Sequence, residues 1–131
     1  ALGNHSWNHR HFDTLPVAEQ RSEIERLEAL LTRFDGLPMH DFRPPRGRLT
    51  GGMVLDCIRR GQRIAYWSYD SLDYSARTPD MLIASARRHP PQAGEIVLLH
   101  DDGGRSLALL EALLPEWKAA GFAFAPLRPV A

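Results

Sequence analysis

Short apolar, extended-looking stretches alternate along this chain with longer stretches of helical periodicity, and that alternation restricts the fold more than any other feature. Ile24, Leu27, Leu30, Leu31 and Phe34 recur at helical spacing within 15–34; Pro16 suits a first turn and Gly36 breaks the pattern. A second helix is predicted over 50–60, capped near Thr50 and ended by Gly61. A third is predicted over 79–88, starting after Thr78 and stopping before Pro90. A fourth over 106–120 has Leu109, Leu110, Leu113, Leu114 and Trp117 on its core side; Pro115 should kink or restart it, and Gly121 should end it. Between these lie extended pieces at 2–4, 41–45, 64–68, 95–100 and 122–125. The unbroken apolar run 96–99 suits a strand covered on both faces. The pattern predicts an α/β fold of parallel strands with outer helices, with about five strands against the eight of the closed α/β barrel.

Composition removes several function classes. The 131 residues suit one domain. Sixteen basic and 16 acidic residues cancel, and all but one of the basic ones are arginines scattered along the chain, so nothing favours nucleic acid or an anionic membrane surface. The single cysteine, Cys57, rules out an internal disulfide and a cysteine-rich zinc site and reads as a small core residue. No apolar run is long enough to span a bilayer. No signal peptide opens the chain; its first residues read as a strand end entering a loop, so the chain is expected to begin inside a domain.

In parallel α/β folds the chemistry gathers beyond the C-terminal ends of the strands. Each extended piece here is followed by reactive residues: His5 and His9, then Arg43, then Asp70 and Asp73, then His100, Asp101 and Asp102. They are expected to share one mouth. His5-Ser6-Trp7-Asn8-His9 sets two imidazoles four residues apart, which in a tight loop lets both face one cation. The plainer alternative is two polar loop histidines, or one capping the helix. His11 is close by, but its offset from His9 is poor. Arg43-Pro44-Pro45-Arg46-Gly47 is a rigid turn in which Arg43 is held firmly enough to orient a carboxylate; an ordinary proline-rich surface turn is the alternative, with Arg46 and Arg48 in solvent. Asp70-Ser71-Leu72-Asp73-Tyr74 brings two carboxylates that can pair with Arg43 or support a histidine, or simply cap and turn. His100, ending a buried strand beside carboxylates, suits a general acid or base, against a structural histidine. The 101–102 acidic pair can bind a metal or open the next helix. His40 and His89 sit at element boundaries and are expected at the surface; Trp67 and Trp117 are expected in the core; Trp7, beside the histidines, has the better claim to touch ligand.

In this order the segments resemble the polysaccharide deacetylase family, also called carbohydrate esterase family 4 or the NodB-homology domain. His5-Ser6-Trp7-Asn8-His9 is similar to the family's His-[Ser/Thr]-x-x-His motif, Arg43-Pro44-Pro45-Arg46-Gly47 to Arg-Pro-Pro-x-Gly, Asp70-Ser71-Leu72-Asp73-Tyr74 to Asp-x-x-Asp-Trp, and Leu98-Leu99-His100-Asp101 to Leu-x-His-Asp. The resemblance implies an incomplete distorted (β/α) barrel of the type with about seven strands, one short of the closed eight-stranded form, as a single catalytic domain over 1–131 with its N-terminal strands missing. It implies metal-dependent hydrolysis of N-acetyl groups on a carbohydrate. His5 and His9 would hold a divalent metal, most often zinc, together with an upstream aspartate. Arg43 would position the catalytic base, Asp73 would tune the acid His100, Leu98 would line the acetyl pocket, and the Arg46 amide would face the oxyanion. Trp7 and Tyr74 would border the substrate. The family's first motif, Thr-Phe-Asp-Asp-Gly, is absent, so this segment alone is expected to be inactive and to need the missing N-terminal segment of its domain. Tyr74 replaces the family's tryptophan and Arg46 its usual aromatic, which alters the substrate groove. The resemblance favours an extracytoplasmic or cell-envelope location. Two other readings stay open: a non-catalytic carbohydrate-binding remnant of the same fold, and a small-amide hydrolase.

Overall fold

The computed structural model describes residues 1–101 and 103–127. Four α-helices, α1 (Val17–Asp35), α2 (Gly51–Arg60), α3 (Pro79–Arg88) and α4 (Arg105–Ala119), alternate with extended segments. Their ends follow the sequence chemistry. The Thr50 hydroxyl accepts from the Met53 amide at 3.2 Å and caps α2, and Thr78 caps α3 through the Met81 amide at 3.3 Å. Gly36 (φ 75°) and Gly61 (φ 69°) close α1 and α2 in the left-handed conformation that other residues rarely adopt. α4 runs through Pro115 as one helix instead of restarting there.

The described residues form two compact units, and each has its own core. The first comprises Ala1–Tyr66 with Pro126 and Leu127. In it Phe12, Ile24, Phe42, Met53 and Cys57 pack together, with Leu15 and Ile64 against them. Its extended segments meet as single parallel bridges, Asn4 to Phe42 and Phe42 to Ile64. The second unit, Trp67–Ala125, packs α3 on α4 through Leu82, Ala86, Leu109, Leu113 and Trp117. Here β1 (Tyr69–Asp70) pairs in parallel with β2 (Val97–Leu98), with Asp70 opposite Leu98.

The fold is α/β with parallel pairing throughout. The extended pieces are shorter than their composition suggests: 64–68 contributes one bridge, at Ile64, and 95–100 pairs regularly only at Val97–Leu98. The expected strand at 122–125 is not formed. Its aromatics are drawn to α4 instead, where Phe122 packs on the α3/α4 core and Phe124 lies 6.2 Å from the Trp117 ring. Among the described residues no helix is long and apolar enough to cross a membrane.

Candidate functional site

In the first unit the chain leaves the Asn4 bridge and turns sharply, with Ser6 at φ 65° and His9 at φ 51°. Left-handed backbone is uncommon for residues with a side chain, and side-chain hydrogen bonds hold it here. The Ser6 amide donates to Asn4 Oδ1 at 3.1 Å, and the His9 amide donates to Ser6 Oγ at 3.1 Å. His5 Nδ1 lies 2.6 Å from the carbonyl oxygen of Arg43. A carbonyl only accepts, so the proton sits on Nδ1 and the ring's lone pair on Nε2, the tautomer a metal ligand needs. The His5 and His9 rings are 4.9 Å apart, centre to centre, inclined at 69°. Two imidazoles bound at about 2.1 Å to one tetrahedral zinc place their ring centres ~5 Å apart. The pair therefore fits as two donors to a single divalent cation. Among the described residues no group of three or more histidine, cysteine or carboxylate side chains gathers as a metal cluster.

The Arg43 turn is built into the same place. Its amide donates to the Asn4 carbonyl at 2.8 Å while its own carbonyl receives His5. Pro44 and Pro45 are fully buried, and Arg46, at φ 55°, stands exposed at the tip of the turn. Trp7 is 40% exposed, with the Arg26 guanidinium 4.6 Å above its ring. The first unit thus brings together His5, His9 and Arg43, with Trp7 in the loop between the two histidines.

The second unit assembles Asp73 and His100. Asp73, 2% exposed, accepts from the His100 amide through Oδ2 at 2.6 Å and meets His100 Nδ1 through Oδ1 at 2.8 Å. The buried carboxylate fixes both the ring's orientation and its Nδ1 proton, so proton exchange with anything outside occurs at Nε2. The Ser106 hydroxyl donates to the His100 carbonyl from the first turn of α4. Asp70 is engaged locally, accepting from the Leu72 amide at 2.9 Å and the Tyr74 hydroxyl at 3.0 Å. Tyr74 stacks edge-on to His100 at 5.3 Å; partial burial, reinforced by the Asp70 carboxylate, raises its hydroxyl pKa above the usual value. Leu98 is buried in β2 two residues ahead of His100. Asp101 is exposed, and Asp102 lies outside the described residues.

His40 is not a surface residue. It is 4% exposed, with Nδ1 2.5 Å from Glu28 Oε1 and Nε2 3.0 Å from Asp35 Oδ2. Burial works against its charge, but the two carboxylate hydrogen bonds outweigh it and the pKa is raised. The sequence reading also passed over Glu23 and Glu28. Both lie on the inward side of α1, beside the buried Ile24, and reach the histidine loop. Acidic residues set within the apolar stripe of a helix were the signal that could have found them.

The family profile for polysaccharide deacetylases matches residues 1–65. The chain resembles that family across the matched residues. It is 25% identical to a peptidoglycan-N-acetylglucosamine deacetylase of Bacillus cereus over 96% of this chain and 47% of the relative. It is 29% identical to a chitooligosaccharide deacetylase of Azorhizobium caulinodans over 97% of this chain and 67% of that protein. Its structure is similar to a family 4 carbohydrate esterase from Streptomyces lividans solved with acetate, with TM-score 0.78 and 26% identity over 91% of this chain and 61% of the other. The chain therefore spans about half the length of the Bacillus cereus deacetylase. His5 and His9 belong to the first unit, and His100 with Asp73 to the second.

Proposed function

We propose that the whole protein hydrolyses N-acetyl groups on a carbohydrate in a metal-dependent reaction, with zinc the cation that suits the ligand set. The observation that carries this reading is the His5–His9 pair, spaced at 4.9 Å with the His5 tautomer set by the Arg43 carbonyl. A bound divalent cation supplies Lewis acidity and lowers the pKa of water from 15.7 toward about 7. The remaining work falls to side chains. His5 and His9 hold the cation. Arg43 orients the carboxylate that takes the proton from water, a residue the resemblance places upstream of this segment. The Arg46 amide, exposed at its positive-φ turn, faces the developing oxyanion. His100 delivers a proton from Nε2 to the departing amine, with Asp73 holding the other side of the ring. Leu98 lines the acetyl pocket, while Trp7 and Tyr74 border the sugar. In this reading residues 1–131 are part of a single catalytic domain, a distorted (β/α) barrel, and the isolated segment is inactive.

The names of the relatives support an N-acetylglucosamine-containing substrate, a peptidoglycan or a chitooligosaccharide. The test is metal analysis and acetate release from N-acetylated oligosaccharides by the whole protein. Stoichiometric metal that is lost in His5→Ala, together with lost deacetylation, supports the reading. Unchanged metal content and activity in that variant overturn it.

A further inference from the structure

We infer that Glu23, together with Asn8, forms a positioning clamp for the proposed metal-binding histidines, so that the affinity of the site is set from inside helix α1. This rests on the reading of His5 and His9 as ligands and extends it to residues that touch neither cation nor substrate.

Glu23 is 5% exposed, and a carboxylate at that depth needs partners. It finds them in the histidine loop. Oε2 accepts from the Asn8 backbone amide at 2.7 Å and Oε1 from the Asn8 side-chain amide at 3.1 Å. The Glu23 carbonyl accepts from the Trp7 amide at 3.1 Å. One helical residue thus grips the two positions immediately before His9. The loop needs such a grip, because its residues at positive φ, Ser6 and His9, would relax to other conformations if released. At the other end of the loop, Asn4 Nδ2 donates to the Ile24 carbonyl and to Glu28 Oε2, both at 2.9 Å, while Asn4 Oδ1 receives Ser6. His5 and His9 are therefore suspended between two anchors on consecutive turns of α1.

The polarity of the clamp gives a test that packing alone cannot imitate. Both hydrogen bonds run from Asn8 to Glu23. In Glu23→Gln one oxygen still accepts from the Asn8 backbone, and the exposed Asn8 amide can turn so that its oxygen accepts from the new NH2 group, which keeps both bonds without the charge. In Asn8→Asp a carboxylate faces a carboxylate. In Glu23→Gln with Asn8→Asp the second bond returns with its direction reversed, and the net charge is that of the wild type.

Zinc affinity of the whole protein is measured by chelator competition well below the melting temperature, with the absorption spectrum of the cobalt(II)-loaded protein as a second readout. Asn8→Asp is expected to bind zinc about 10–100-fold more weakly, the usual cost of losing a partner behind a metal ligand, with an altered cobalt spectrum, while Glu23→Gln stays close to wild type. The double variant is expected to recover affinity and spectrum. If Asn8→Asp does not fold, Asn8→Ala removes only the side-chain bond and should weaken zinc by a smaller factor. Unchanged zinc affinity in Asn8→Asp and Asn8→Ala, or a double variant no better than Asn8→Asp, overturns the clamp while leaving the histidines as ligands. Wild-type protein that takes up no zinc, or takes it up equally in His5→Ala, overturns the ligand assignment and the clamp with it.

Discussion

His5 in the first unit and His100 in the second are both anchored through Nδ1, and the difference between them lies in what receives that proton. His5 points to a neutral backbone carbonyl, His100 to a buried carboxylate. The carbonyl fixes the Nδ1 proton without bringing in charge, which leaves Nε2 as the position for the proposed ligand bond. The carboxylate brings a full negative charge, a counter-ion for the imidazolium that a proton donor must be. His40 completes the series. With carboxylates on both nitrogens it has no lone pair to offer and no exposed edge from which to pass a proton. Identical side chains are thus held in three different ways by their acceptors alone, and the proposed reading uses them as ligand, acid and structural group.

Substitutions that separate these three roles test the comparison. The largest effect is expected in His5→Ala of the whole protein. Loss of the cation forfeits several kcal/mol of transition-state stabilisation, roughly a 10³-fold fall in kcat/KM, with metal stoichiometry falling in parallel; retained metal would break the contrast with His100. His100→Gln should lower kcat by about 10²–10³-fold while metal content, read by elemental analysis, stays at the wild-type level. Asp73→Asn keeps the shape but sets an amide against one of the two His100 N–H groups, so an intermediate loss of about 10-fold or more in kcat is expected, with the alkaline or acid limb of the pH–rate profile displaced and metal unchanged.

The smallest effect belongs to His40. Its pKa is raised in the folded protein, above the ordinary value of about 6.5. The stability it contributes is therefore fully present below that value and lost as pH rises through the folded pKa. Melting temperatures of wild type and His40→Gln, measured as a pH series, should differ most in mild acid and converge in alkali. A difference that grows with pH would show that the ring is neutral in the native state.

The four helices were legible because their signals are local. Thr50, Thr78, Gly36 and Gly61 each act within one turn, and the sequence contains them whole. The strands were overread because pairing is set by neighbours distant in sequence; 64–68 has the right residues but only Ile64 meets a partner in register with Phe42. Pro115 was expected to kink or restart α4; the helix does not restart, and the Leu109, Leu113 and Trp117 face, packed on α3, holds it continuous across the missing donor. At the site, the motif residues announced themselves by spacing and by family resemblance. The residues that hold them did not. Glu23, Glu28 and Asn4 carry no motif, and the depth of His40 depends on Glu28 and Asp35 coming from another element.

The Asn4 side chain spans 20 residues of sequence to reach Ile24 and 24 to reach Glu28. Until α1 has docked, the segment around positions 5–9 has only the short-range hydrogen bonds from Asn4 and Ser6 to hold its left-handed turns. A cation in solution would then meet only a floppy pair of imidazoles during synthesis. On the proposed reading, loading would be a late event that follows helix docking, and metal scarcity should leave an intact apoprotein instead of a misfolded chain.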